Sequence, residues 1–143
     1  MKNRITRFRF LALGLMLACP LARAQDVVIV ANKGIFVSEI SSSQLREVFT
    51  GVRSRLDDGT RAVPVLLKGG PAHEVFLHRH MGVSPEEFRA RWLKAVFTGQ
   101  GSMPREFSSE AALLSYIAAT PGAIGYVSRI PQQDSVKVLT VAP

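Results

Sequence analysis

The chain has 143 residues, with 18 Lys and Arg against 11 Asp and Glu, and a single cysteine. Five of the basic residues (Lys2, Arg4, Arg7, Arg9 and Arg23) and the cysteine, Cys19, lie in the first 24 residues; 18 less five leaves 13 basic against 11 acidic side chains beyond them, a net charge of +2. The whole-chain charge of +7 therefore carries no case for a nucleic-acid partner, and a cysteine-free stretch from residue 25 onward excludes disulfides, thiol catalysis and cysteine-ligated zinc there.

Residues 10–19 (FLALGLMLAC) form an apolar run behind a basic head, and Ala22-Arg23-Ala24 is a small-x-small cleavage site. The expectation is a cleaved secretory signal peptide over residues 1–24. The apolar run falls well short of the roughly 20 residues that span a bilayer, so no membrane anchor is expected. Cleavage before Cys19 as a lipoprotein is the alternative, but Met16-Leu17-Ala18 matches the usual approach poorly. Residues 25–143, 119 in all, suffice for one core and one domain, expected in the periplasm.

Val27-Val28-Ile29-Val30-Ala31 is a β-branched run typical of a strand buried on both faces. Ser41 with Gln44 predicts a capping box, followed by helical spacing of Leu45, Val48 and Phe49 up to Gly51. Asp57-Asp58-Gly59 is a turn. Ala62-Val63-Pro64-Val65-Leu66-Leu67 is a second strand, whose early proline suggests that it begins at or just past an edge. Lys68-Gly69-Gly70-Pro71 then leads into a helix over 72–81. Ser84-Pro85-Glu86-Glu87 starts another, with Phe88, Trp92, Ala95 and Val96 on one face and Gly99 as the stop. Ser108 or Ser109 caps a further helix with Leu113, Leu114, Ile117 and Ala118 inward, ended at Thr120-Pro121-Gly122. Strands over 123–127 and 136–141 close the chain. The expected fold is α/β, about four strands in a sheet flanked by helices. "EVFTG" (47–51) and "AVFTG" (95–99) are taken as two amphipathic helices with the same glycine stop, since five residues do not make a repeat.

"SSSQLREVFTG" (41–51), the strand into "KGGPAHEVF" (68–76), "RWLKAVFTG" (91–99) and "AATPGAIGYVS" (118–128) together resemble the PstS-like, phosphate ABC transporter branch of periplasmic substrate-binding proteins. The resemblance covers about 100 of the 119 residues and implies one lobe of a type 2 periplasmic-binding-protein-like fold. Family members clamp a ligand between two such lobes. The family's phosphate loop, Arg, two residues, then Gly-Ser-Gly-Thr, falls here on Leu66, Gly69, Gly70, Pro71 and Ala72. Guanidinium, both hydroxyls and one backbone donor are therefore missing. The candidate ligand-binding residues that remain are Lys68, Gly69, Gly70, Ala72 and His73, with the helix N-terminus as the anion-favouring element.

His73, Glu74, His78 and His80 form a polar cluster, but "HEVFLH" misplaces the second histidine of His-Glu-x-x-His by one residue. On a helix the successive histidines point about 140–160° apart; His73 and His80 could pair but lack an evident third ligand, so no metal site is expected. No serine lies in Gly-x-Ser-x-Gly, and no catalytic residue or cofactor is expected. Arg53, Arg55 and Arg105 form either an anion-facing rim or a solvated one. The expected function is non-catalytic solute binding, with phosphate or another small anion as ligand and a degenerate oxyanion loop. A transporter permease or sensor protein is the expected partner, and tight binding needs a second lobe or a homodimer. The alternative is a ligand-free interaction module for a periplasmic sensor, porin or transporter.

Overall fold

A computed structural model describes residues 26–143; the leader expected over residues 1–24, with Cys19, lies outside the described residues. Six strands, β1 (Val28–Asn32), β2 (Glu39–Ser41), β3 (Val63–Leu67), β4 (Arg105–Phe107), β5 (Ala123–Val127) and β6 (Val136–Ala142), form one sheet in the order β2-β6-β1-β5-β3-β4. The four helices are α1 (Ser42–Phe49), α2 (Pro71–Phe76, running on as a π-helical turn over Leu77–Met81), α3 (Pro85–Phe97) and α4 (Glu110–Ala119). The four strands expected from sequence are thus flanked by two more, β2 and β4. Each is three residues long, too short for alternation to show.

β1 occupies the middle of the sheet, antiparallel to both β5 and β6. Its β-branched residues are what a strand covered on both faces requires. β3 runs parallel to β5 on one side and to β4 on the other. Pro64 fits this interior strand because the N–H of Val63 points to β5, onto Gly122 O. The nitrogen of Pro64 therefore points the other way, and β4 pairing begins only at Val65.

Successive β5 side chains face opposite sides of the sheet. On one side Gly125 lies under Leu113 and Ile117 of α4. On the other, Tyr126 stacks on Phe76 of α2 at 3.9 Å, and Phe76 meets Phe49 of α1 edge-on at 4.8 Å. The result is a three-layer sandwich with α4 on one face and α1 and α2 on the other.

Local signals act as expected. Ser41 and Gln44 form the reciprocal capping box, and Ser84 and Ser109 cap α3 and α4. The two "VFTG" helices end alike: Thr50 Oγ1 donates to Arg46 O and Thr98 Oγ1 to Lys94 O, with Gly51 and Gly99 at positive φ. α3 is the exception to tight packing. It is fixed by Phe88 and Trp92, whose Nε1–H donates to Phe49 O at 2.9 Å. Val96, which helical spacing puts on the same face, remains 39% exposed, since only Phe88 and Trp92 of α3 are buried.

Candidate functional site

β3, β4 and β5 run parallel or share neighbours in one direction, so Leu67, Phe107 and Val127 end on the same side of the sheet. In open α/β sheets this carboxyl edge is where ligands bind. Lys68 leaves β3 with its N–H donating to Phe107 O at 2.9 Å. Gly70 then takes φ 92°, ψ 173° as the residue before α2, a conformation open to glycine, and Pro71 starts the helix. Because the first turn of a helix has no carbonyl one turn back, the N–H groups of Ala72 and His73 lack partners within α2.

The five candidate residues are divided between two hollows on either side of this loop. Gly69, Gly70 and Ala72 line one of about 320 Å³, together with Ser108, Ser109, Glu110 and Ser128. Here the N-termini of α2 and α4 meet. Lys68, Gly69 and His73 line the other, a cleft of about 290 Å³ that also takes in Glu74, Glu86, Arg89 and Glu106.

The first hollow already holds an anion of the protein's own. The Glu110 carboxylate accepts the Ser128 N–H at 2.9 Å and the Ser128 hydroxyl at 3.1 Å, while Ser109 Oγ accepts from Ala112 N. Ser108, Glu110 and Ser128 had no motif to mark them. Serine beside a glutamate at a helix start looks like capping, and their convergence depends on strands far apart in sequence.

In the second cleft His73 is 8% exposed, and its Nδ1 is hydrogen-bonded to the Tyr126 hydroxyl. That hydroxyl oxygen also accepts the Leu67 N–H at 3.1 Å. With a donor on one side, the tyrosine proton has only Nδ1 to receive it. Satisfying all three groups therefore assigns a neutral ring with its proton on Nε2. Burial pushes the His73 imidazole below its ordinary range, against the opposite pull of Glu106 and Glu74. Burial also pushes the Tyr126 hydroxyl far above its ordinary range, with the Leu67 hydrogen bond pulling the other way. The two shifts agree: a neutral histidine is held by a neutral tyrosine. Sequence pointed to His73 but missed Tyr126, although it stands in the "GAIGYV" run.

The remaining histidines go elsewhere. His80 lies 3.5 Å from Asp26, whose other oxygen pairs with Arg79 at 3.2 Å. His78 lines an open groove of about 730 Å³ between α2 and the start of α3. Among the described residues no group of three His, Cys, Asp or Glu side chains gathers as metal ligands would. The three arginines do not form one rim. Arg53 pairs with Glu47 and Asp57 at 2.9 and 3.0 Å, Arg55 donates to Gly59 O, and Arg105 lies over the Tyr116 ring at 5.2 Å. Among the described residues no helix is long and apolar enough to cross a membrane.

No family model matches the sequence. Solved structures do share the fold. An ABC-type phosphate transport receptor from Vibrio cholerae superposes with a TM-score of 0.61 at 15% identity, over 81% of this chain and 46% of the receptor. A Clostridium perfringens substrate-binding protein, crystallised with bound phosphate, gives 0.61 at 19% identity over 81% of this chain and 44% of its own. PstS from Borrelia burgdorferi gives 0.58 at 12% identity, covering 81% and 47%. This chain spans under half the length of each of these proteins, and what it shares with them is an α/β fold that matches part of a periplasmic-binding-protein architecture.

Proposed function

We propose that the protein is a non-catalytic, exported solute-binding lobe that takes a small oxyanion weakly at the start of α2. The supporting observation is the Leu67–Ala72 turn, where a parallel strand delivers two glycines and the first N–H groups of a helix to the carboxyl edge of the sheet. The protein with this fold from Clostridium perfringens was solved with phosphate bound. Gly69, Gly70 and Ala72 offer backbone N–H groups to the hollow beside Ser128, while Lys68 and the Nε2–H of His73 are the candidate side-chain donors in the cleft on the other side of the loop. Each charge-assisted hydrogen bond contributes roughly 1.5–3 kcal/mol, most of it offset by the cost of binding, so a loop short of the guanidinium and both hydroxyls is expected to bind at about millimolar concentration. Tight binding needs a second lobe, from another copy or another protein, and the expected partner is a transporter permease or a sensor. The domain is taken as residues 25–143, delivered to the periplasm by residues 1–24.

Calorimetric titration of phosphate, sulfate and small carboxylates into purified protein tests this reading. Weak heat with at least one anion is expected, lost in Lys68→Gln; absence of heat with all of them at millimolar ligand refutes it. One observation favours a second reading, a ligand-free interaction module: the Glu110 carboxylate already occupies the Ser128 donors in the hollow beside α2. On that reading Glu110→Gln creates no anion binding, whereas on the first it strengthens binding severalfold by removing a like charge.

A further inference from the structure

We infer that α3 is a self-association surface through which two copies of the chain pair antiparallel. At 100° per residue, Phe88, Trp92 and Ala95 face the body of the protein. Glu86, Ala90, Leu93 and Phe97 recur at steps of four, three and four, within an arc of about 60° on the opposite side. All four are exposed, Leu93 at 40% and Phe97 at 86%. A lone exposed leucine means nothing. Ala90, Leu93 and Phe97, three apolar residues at coiled-coil spacing on the outer face of α3, do ask for a partner.

The charges bordering this stripe specify which partner. Glu87 and Lys94, seven residues apart, lie on one flank; Arg89 and Val96, also seven apart, lie on the other. A two-fold axis passing near residues 91 and 92 sets Glu87 of one copy beside Lys94 of the other, and Lys94 beside Glu87. It also lays the aliphatic stem of Arg89 along Val96, opposes Leu93 with the small Ala90, where helices can approach, and sets Phe97 against the stem of Glu86 at each end of the seam, where the carboxylate reaches water. A parallel pair would instead bring Arg89 against Lys94, two like charges. Within one copy Arg91 reaches Glu87 at 3.3 Å, from the side away from the seam. The stripe is thus complementary to itself in one orientation, as a two-fold interface requires.

Glu86 and Arg89 also line the cleft holding Lys68 and His73, so a second copy docked here stands at the rim of that cleft. A seam of about three turns is smaller than the roughly 1,600 Å² of a standard interface. The dimer is therefore expected to be reversible, in the micromolar range. Its existence does not depend on anion binding.

Sedimentation velocity of the purified protein over rising concentration should show monomer passing to dimer. Phe97→Glu should abolish the dimer, and Glu87→Lys or Lys94→Glu alone should weaken it about tenfold or more. The double reversal E87K/K94E should restore it. Ile130→Glu, an exposed apolar position outside α3, should leave it unchanged, and circular dichroism should report an intact fold for each variant. Monomer at every concentration, a dimer indifferent to Phe97→Glu, failure of the double reversal to recover, or association only with anionic lipid vesicles would each overturn the inference.

Discussion

The hydrogen bonds around the Tyr126 hydroxyl tie fold to site through one atom. It accepts from the strand that delivers the loop and holds the histidine that lines the cleft. Tyr126→Phe leaves the Leu67 N–H and His73 Nδ1 without this partner, and is expected to cost about 1–3 kcal/mol, measured by urea unfolding. The histidine predicts a pH dependence with a definite sign. His73 titrates lower when folded, so as pH falls below about 6.5 the unfolded chain binds a proton that the folded chain refuses. Stability is therefore lost through that window, although Glu106 and Glu74, facing the ring, narrow it. His73→Gln should flatten this part of the stability curve; an unaltered curve would show that the ring is not held neutral. Of the site residues, those in the loop were legible because glycine, proline and a helix start are local signals. Glu110, Ser128 and Tyr126 were not, since each acquires its role from a neighbour 18 or more positions away in sequence.

At the scale of elements, the "TPGAIGYV" run owes its glycines to packing. Gly122 sits at φ 79°, and a Cβ there would collide with the Arg61 carbonyl oxygen. A Cβ at Gly125 would lie 2.9 Å from Ile117, 3.0 Å from Val65 and 3.2 Å from Leu113, so α4 rests directly on the strand. Gly59 has a similar φ of 83° but open space around it. Gly59→Ala should therefore cost about 1–2 kcal/mol for the backbone alone, Gly125→Ala about 1–3 kcal/mol for overpacking, and Gly122→Ala more than either. Thermal unfolding of the three variants measures the order, and equal costs at 59 and 122 would remove close approach as the reason for Gly122. Caps, helix stops and long strands were legible because their causes lie within a few residues. The exposure of Val96 was not legible, because helical spacing identifies an apolar face without saying whether anything covers it. β2 and β4 were missed because a three-residue strand exists only through its neighbour.

For the whole molecule the decisive fact is that β1, from the start of the described chain, is paired on both sides by strands from its end. The sheet cannot close until β5 and β6 are available, and such distant pairing makes for slow folding. Deleting residues 135–143 removes β6, strips β1 and β2 of their common neighbour, and uncovers Ile29 and Val30. The expected result is loss of a cooperative melt, and a sharp transition in the truncated chain would show that β6 is dispensable. The α/β class was legible from strands alternating with helices. The central place of β1 and the antiparallel turn of the sheet were not, because order within a sheet leaves no local trace. The short strands at both ends of the sheet have a last consequence. With three residues each, β2 and β4 offer little template for another chain to extend the sheet by strand addition. On the pairing inferred above, contact between copies is thereby diverted from open-ended stacking to α3. Assembly of this protein should accordingly saturate and reverse on dilution, without a lag and without fibres.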